Sequence, residues 1–82
     1  MPRYHFALFD GTREPDHEGI ELADDQAAQA CAMKYAGEVM KSDPNRVLKN
    51  GQCRVEVTNH SGALLFTVVT ITIEAAEPTA YL

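Results

Sequence analysis

The amino-terminal segment alternates between apolar and polar side chains with a period of two. Between Arg3 and Phe9, every second side chain is apolar and points the same way: Tyr4, Phe6 and Leu8. This alternation, with its aromatic residues, is typical of a β-strand. Asp10-Gly11 then favours a turn, and Ile20 and Leu22 share one face further along the chain. We therefore predict a short second strand that pairs with the first across a long polar loop.

A helix is predicted in the middle of the chain, from Gln26 to Lys41. The stretch is rich in good helix formers, and at about 100° per residue it has one largely apolar stripe: Ala28, Cys31, Ala32, Tyr35, Ala36 and Val39. Asp24 or Asp25 is expected to cap the first free N–H groups. Pro44 is expected to end the helix, because it pushes the residue before it out of the α region. The residues from Asn45 to Gln52 are expected to form a loop.

The last segment has the pattern of a β-hairpin. Apolar and polar residues alternate from Cys53 to Thr58, and Asn59-His60-Ser61-Gly62 has Asn and Gly at the positions that a type I turn prefers. A three-residue loop with Gly62 in the left-handed conformation gives a bulge-type hairpin. The register that this turn predicts places Val57 opposite Leu65, Val55 opposite Thr67 and Cys53 opposite Val69. The final strand is expected to continue through Ile73.

These elements follow one another in the order β-β-α-β-β. The predicted fold class is α+β, a two-layer arrangement in which a four-stranded, mostly antiparallel sheet has one helix packed on one face. A chain of 82 residues has room for a single domain. We place this domain at residues 1–73, with residues 74–82 as a carboxy-terminal tail. The order of the strands in the sheet does not follow from the pattern.

Both faces of the predicted sheet carry apolar residues, although one helix can cover only one face. An antiparallel sheet with one wet face normally alternates cleanly, whereas Leu64-Leu65-Phe66 and Val68-Val69 are apolar on both sides. The residues assigned to the uncovered face, as candidate interface contacts, are Phe9, Leu64, Phe66 and Val68. Because such patches usually mark contact sites, we predict a homodimer through this face or along the long last strand. The alternative is that the tail folds back and covers the face with Tyr81 and Leu82.

Charge and composition narrow the classes of partner. The chain has 7 Lys and Arg against 12 Asp and Glu, which gives a net charge of −5. The basic residues are scattered, so no nucleic-acid partner is expected, even though Phe9 and Phe66 are aromatic residues of the kind that stack on bases. No apolar run reaches the roughly 18 residues of a membrane span, and the first residues lack a signal-peptide pattern. We therefore expect a cytoplasmic protein with no membrane partner.

Residues with candidate chemistry are few. The acidic loop 10–18 holds the candidates for binding a metal ion or a small ligand: Asp10, Asp16, His17 and Glu18. Their spacing is not that of a calcium loop, so a solvated hairpin loop is the default and neither a metal nor a cofactor is expected. Cys31 and Cys53 do not have zinc-site spacing and are expected to be buried, reduced thiols. No catalytic constellation is visible, so the protein is not predicted to be an enzyme.

Two stretches of the chain form a recognisable pattern. The first is Met1-Pro2-Arg3-Tyr4-His5-Phe6, followed by Asp10-Gly11, and the second is Arg54-Val55-Glu56-Val57-Thr58, followed by Gly62 and Leu64-Leu65. The pattern resembles a family of small bacterial proteins of unknown function, in which an MPRY-aromatic strand precedes an Ala-rich helix and a VxVxDxxGxxL hairpin. The resemblance covers about residues 1–69, with Cys53 in place of a common aromatic residue and Asn59 in place of Asp. It implies the same fold outline and no assigned activity.

Together these features predict a non-enzymatic interaction or regulatory module that acts as a homodimer, with a further protein partner left open. The apolar second face of the sheet favours this hypothesis. The alternative is a small-ligand or metal-binding protein that uses the acidic loop 10–18.

Overall fold

The computed structural model describes residues 1–78 and residue 80 of the chain. This part contains a single sheet of five strands, together with two helices. Their bounds are β1 Arg3–Phe9, β2 Arg13–Glu14, β3 Ile20–Glu21, α1 Asp25–Ser42, α2 Asn45–Asn50, β4 Gln52–Asn59 and β5 Leu64–Ile71. The sheet is antiparallel with the order β2-β1-β4-β5, and β3 also pairs with β1. The α+β class is confirmed, with one strand and one helix more than predicted.

Strand β1 lies between β4 on one side and both short strands on the other. Its alternation is confirmed, since Tyr4, Phe6 and Leu8 are all buried. Tyr4 pairs with Ile20, which confirms that the first two predicted strands pair. Leu8 pairs with Glu14, so β2 forms within the stretch expected to be a polar loop. The two short strands together cover one edge of the sheet.

Helix α1 begins at the predicted cap. The Asp24 carboxylate accepts a hydrogen bond from the N–H of Ala27 at 2.8 Å, which satisfies one of the free donors at the helix start. Ala28, Ala32 and Ala36 are buried in the core shared with the sheet. Their short side chains allow the helix to lie close to the strands, so the predicted helix and its apolar stripe are confirmed.

The prediction of a loop from Asn45 to Gln52 is wrong, because most of this stretch forms helix α2. Pro44 ends α1 and also starts α2, since its φ of −63° suits a first helical turn. Val47 then reaches the core, where it is 1% exposed. Gly51 ends α2 at φ +79° and donates its N–H to the carbonyl of Val47 at 2.7 Å.

The turn between β4 and β5 forms as predicted. Gly62 has a φ of +84°, and its N–H donates to the carbonyl of Asn59 at 3.0 Å. The N–H of Asn59 donates to the carbonyl of Ala63 at 3.0 Å, which leaves a three-residue loop between them. The side-chain oxygen of Asn59 accepts the N–H groups of Ser61 and Ala63, both at 3.0 Å, so this Asn holds the turn closed.

The predicted register of this hairpin is wrong beyond the first pair after the turn. Thr58 and Leu64 lie opposite each other as the turn requires, but a β-bulge follows. Leu65 is the extra residue, so Val57 pairs with Phe66 instead of Leu65. From that point the whole of β5 is shifted by one residue relative to the predicted pairing.

The bulge exchanges the two faces of β5, because a shift of one residue turns every side chain to the other side of a strand. Phe66 and Val68 pack against the core on the helix face, so their assignment to the uncovered face is wrong. The predicted pairing of Val69 with Cys53, and the alternation along the strand, place Val69 and Ile71 on the helix face. In the structure both residues lie on the outer face, which is the side of the sheet away from the helices. Leu64 precedes the bulge and keeps its predicted outer position.

The segment after β5 has neither helix nor strand at residues 72–78. Ile73, expected in the last strand, lies in this segment. The predicted cover of the sheet by Tyr81 and Leu82 concerns residues outside the described part of the chain. Within residues 1–78 and 80, no helix is long and apolar enough to cross a membrane.

Candidate functional site

The outer face of β5 carries exposed apolar side chains in a row. The exposed fractions of Leu64, Val69 and Ile71 are 58%, 48% and 58%, and Thr67 between them is also exposed. We call Leu64, Thr67, Val69 and Ile71 the outer strip. An adjacent set of exposed apolar groups on a protein surface is typical of a contact site.

The outer face of β1 and β4 is polar and internally paired. Phe9 lies on this face as predicted, opposite Arg54, and the Arg54 guanidinium carbon is 4.2 Å from the centre of the Phe9 ring. This cation–π contact half-buries the ring. Arg13 lies 3.5 Å from the carboxylate of Glu56. Of the four predicted interface residues, Phe9 and Leu64 therefore lie on the outer face, where Leu64 is exposed and Phe9 is half-buried.

Strand β5 also forms an edge of the sheet, where no strand of the described part of the chain pairs with one row of its backbone groups. The N–H of Thr72 donates to the carbonyl of Gly51 at 3.3 Å, so the backbone groups of Thr72 point towards the β4 side. Along a strand the backbone groups of successive residues point to alternate sides. Even-numbered residues after the bulge direct their N–H and C=O groups towards β4, and odd-numbered residues direct theirs away. The groups of Thr67, Val69 and Ile71 therefore point to an edge where β5 pairs with no other strand in the described part.

Asp16 holds the acidic loop against β1. One carboxylate oxygen accepts the N–H of Phe6 at 3.1 Å, and the other accepts those of Gly19 at 3.0 Å and Glu18 at 3.2 Å. Nδ1 of His5 lies 2.9 Å from the carbonyl oxygen of Asp16. Burial by itself would raise the pKa of this carboxyl, but the three N–H groups outweigh burial and hold the pKa below its usual value. Both oxygens of the Asp16 carboxylate therefore accept hydrogen bonds from the backbone and stabilise the conformation of the loop.

Asp10 belongs to an ion-pair cluster around Arg46 of α2. The Arg46 guanidinium lies 3.1 Å from the carboxylates of both Asp10 and Glu14, and 3.5 Å from that of Asp43. The hydrogen bond to Glu14 is the main reason that the pKa of Arg46 is raised. The side-chain amide of Asn50 also donates to the carbonyl of Asp10. The cluster ties the start of the acidic loop to α2.

The ion-pair cluster around Arg46 could not be predicted, because the residue was expected in a loop and lies instead in α2. The available signal was the placement of Pro44 and Gly51, since Pro at a helix start and Gly just past its end are recognised markers. A helix of six residues is too short for its apolar period to be seen, so only these two markers could have revealed it.

The four candidate ligands in the acidic loop are not brought together. Asp10 faces Arg46, Asp16 accepts backbone N–H groups, and the side chains of His17 and Glu18 are exposed. Across the part of the chain that the structure describes, no group of three or more His, Cys, Asp or Glu side chains is placed to hold a metal ion.

The two cysteines occupy the two layers of the core. Cys53 is buried on β4 and Cys31 is half-buried on α1, and both are free thiols. Burial raises the pKa of the Cys53 thiol, so it is neutral at physiological pH. The buried Cys53 therefore lacks the lowered pKa of an activated nucleophile.

A cavity of about 550 Å³ opens between the acidic loop and α1. Its lining comes from the loop, β1, β3 and one side of α1: Phe6, Glu14, Pro15, Asp16, Ile20, Cys31, Lys34, Tyr35 and Glu38. A volume of several hundred Å³ is typical of small-molecule sites. Burial, with a smaller effect from Glu14, raises the pKa of Tyr35, which keeps its hydroxyl protonated as a hydrogen-bond donor beside the cavity.

Comparison with known proteins gives one match. The family model described as a domain of unknown function, DUF6894, matches residues 3–72. No curated protein and no solved structure matches the chain. The matched range contains every strand and helix from β1 to β5, together with the acidic loop and the outer strip. The expected resemblance to a family without an assigned activity is confirmed, and the chain belongs to the DUF6894 family.

Proposed function

We propose that the protein is a non-enzymatic interaction module that acts as a homodimer, with β5 as its contact surface. The observation that carries the proposal is the outer strip, which presents apolar side chains to water beside an open sheet edge. Removing apolar surface from water is worth about 25 cal/mol per Å², so covering this strip is favourable. The free thiols of Cys31 and Cys53 suit a reducing compartment, which supports a cytoplasmic location.

The exposed area of the chain supports association. It amounts to 5973 Å², whereas about 4,900 Å² is typical of a monomeric protein of this mass. The excess includes the outer strip and the exposed segment after β5. A standard protein interface buries about 800 Å² from each partner, so burial of that size would bring the chain close to the usual exposure.

The charge pattern favours a second copy of the chain as the partner. In a two-fold dimer each residue near the axis meets its own copy, so like charges there would repel. The stretch from Ala63 to Ile73 contains no charged residue, and a self-contact along it pairs neutral groups only. On the outer face beside β5, Arg13 and Arg54 lie 3.5 Å and 3.9 Å from the carboxylate of Glu56, so these charges already pair within one chain.

The test is a dilution series followed by sedimentation, from about 1 to 200 μM, with the native chain and two lysine variants. Ile71→Lys places a charge in the outer strip and should give a folded monomer. Met33→Lys places the same charge on a residue of α1 that is 62% exposed, in the helix layer on the opposite side of the sheet from the outer strip, and should leave the dimer intact. A native chain that is monomeric throughout the series, or equal loss of dimer in both variants, would refute the proposal.

The cavity beside the acidic loop favours a second candidate function, the binding of a small organic molecule. Its walls combine apolar surface from Phe6, Ile20 and Tyr35 with charged groups from Lys34 and Glu38. Both charged side chains are exposed on α1, and neither is in an ion pair with another described residue. They are therefore available to a ligand, whereas Asp10 and Asp16 are engaged within the fold.

The binding of a small molecule is tested by measuring the melting temperature of the protein with a panel of metabolites and divalent metal ions. A metabolite that raises the melting temperature of the native chain but not that of Lys34→Ala or Glu38→Gln would support the cavity as its site. Lys41→Ala is the control, because this exposed helix residue does not line the cavity. The absence of any shift, or a shift that both cavity variants retain, would count against this second function.

A further inference from the structure

We infer that the two chains of the dimer join edge to edge, with β5 of one copy antiparallel to β5 of the other, so that a single sheet crosses the dimer. The inference rests on the proposed homodimer and adds its geometry. It selects backbone pairing along β5 over stacking of one outer face on another.

The first argument is the set of free backbone groups. Thr67, Val69 and Ile71 direct their N–H and C=O groups to the open edge, as the hydrogen bond from Thr72 to Gly51 requires. Proline is absent from the whole of β5, so every outward position has a donor as well as an acceptor. A second β5 presents the same alternation, and its outward groups complement these in an antiparallel ladder.

The second argument is the contrast between the two edges of the sheet. Natural edge strands are usually short, bulged, charged or covered, because a bare edge invites pairing with another chain. The β1 edge follows this rule, since two-residue strands β2 and β3 cover it. Strand β5 has eight residues, none charged, and its bulge lies at the turn end of the strand. Within residues 1–78 and 80, the remainder of β5 carries no charge and no bulge, and no strand covers its edge.

The third argument is that edge pairing covers both faces of β5 at once. Phe66 and Val68 point to the helix face and are only partly buried, because no further strand lies beside them. Val69 and Ile71 are exposed on the outer face. A neighbouring β5 places its own side chains against both sets, since cross-strand neighbours lie about 4.5–5.5 Å apart. Stacking of one outer face on another would cover Val69 and Ile71 but would leave the exposure of Phe66 and Val68 unchanged.

Amide hydrogen exchange on the native chain tests this geometry directly. At concentrations where the protein is dimeric, the amides of Thr67, Val69 and Ile71 should exchange at least about tenfold more slowly than in the diluted monomer. The amides of Val68 and Thr70 point to β4 and serve as internal controls, protected in both states. If the protein is dimeric but the three outward amides exchange at the monomer rate, edge pairing is wrong and the homodimer itself stands.

A proline substitution provides the second test. Val69→Pro removes one outward N–H that has no strand partner within a chain, a position where an edge strand tolerates proline. It should weaken the dimer by about thirtyfold, through the loss of two symmetry-related hydrogen bonds. Val69→Thr keeps the N–H and a similar shape, and should retain the dimer with a smaller loss. Equal effects of the two variants would contradict edge pairing, and a native chain that is monomeric throughout would refute the homodimer as well.

Discussion

At the scale of single residues, Asp16 and Gly19 explain why the polar segment between β1 and β3, which has little regular structure, takes a defined shape. Asp16 collects three backbone N–H groups on one carboxylate. Gly19, with φ +73°, brings the chain so close to β1 that an added Cβ would lie 2.7 Å from the carbonyl oxygen of Tyr4. The loop is therefore held in place by the Asp16 carboxylate as an acceptor and by the close approach of Gly19 to Tyr4.

We expect Asp16→Asn to lower the free energy of unfolding by about 1–3 kcal/mol at pH 7, because an amide offers one acceptor oxygen where the carboxylate offers two. The pKa of Asp16 is lowered by folding, so the ionised carboxylate stabilises the fold above its unfolded pKa of about 4. That contribution is lost as the pH falls through the lower folded pKa. Urea unfolding of both chains at pH 7 and near pH 3 checks this, and a difference between them that does not shrink in acid would contradict it.

We expect Gly19→Ala to be far more destabilising than Gly62→Ala. Both glycines have positive φ, at +73° and +84°, but an added Cβ at Gly62 meets no atom within 4 Å. The second substitution therefore measures the backbone strain alone, about 1 kcal/mol, and the first adds a clash with the backbone of β1. Thermal unfolding of the two variants gives the comparison, and equal losses of stability would show that the loop can move away from Tyr4.

At the scale of elements, long patterns were predictable and short ones were not. Helix α1 follows from its cap at Asp24 and its alanine stripe, and the pairing of β1 with β3 follows from alternation. Strand β2 has two residues, too few for any periodicity. The bulge at Leu65 could not be predicted from the residues of the turn, because it depends on packing in the folded core.

The bulge illustrates how packing overrides the register set by a turn. Without it, Thr67 would face the helices and the large side chain of Phe66 would face water. With it, Phe66 and Val68 reach the core, and Leu65 still packs against that core from the bulge. Because the bulge shifts the register, the outer face of β5 carries Val69 and Ile71 in the structure, where the prediction had Phe66 and Val68.

We expect Val47→Ala to lower the free energy of unfolding by about 2–3 kcal/mol, from lost burial and the cavity left behind. Val47 is 1% exposed, whereas its neighbour Leu48 on the same helix is 69% exposed. Leu48→Ala is thus a matched control, with an expected change within about 0.5 kcal/mol. Chemical denaturation of both variants measures the difference, and similar values would mean that α2 contributes little to the core.

At the scale of the whole molecule, the chain has more surface than its mass leads one to expect. Three of its exposed apolar side chains, those of Leu64, Val69 and Ile71, share the outer face of β5. Several charged residues pair within the chain: Arg46 with Asp10 and Glu14 on one side, and Arg13 with Glu56 on the outer face. The uncharged strand β5 is the part of the surface that we propose as the contact with a second copy.

We expect the melting temperature of the native chain to rise with protein concentration, because association stabilises the folded state by mass action. A series from about 2 to 200 μM should show this rise for the native chain and for Met33→Lys. The curve for Ile71→Lys should be flat, since its added charge opposes contact along β5. A flat curve for the native chain would contradict the expectation.

The extra residue at Leu65 also bears on how this surface changes between related chains. Deleting one residue at the hairpin restores the register that the turn sets and rotates the rest of β5 by half a turn about its axis. Such a deletion would send Phe66 and Val68 outward and bring Val69 and Ile71 inward without replacing a single side chain. In this architecture, the number of residues in the hairpin by itself decides which side chains of β5 reach the outer face.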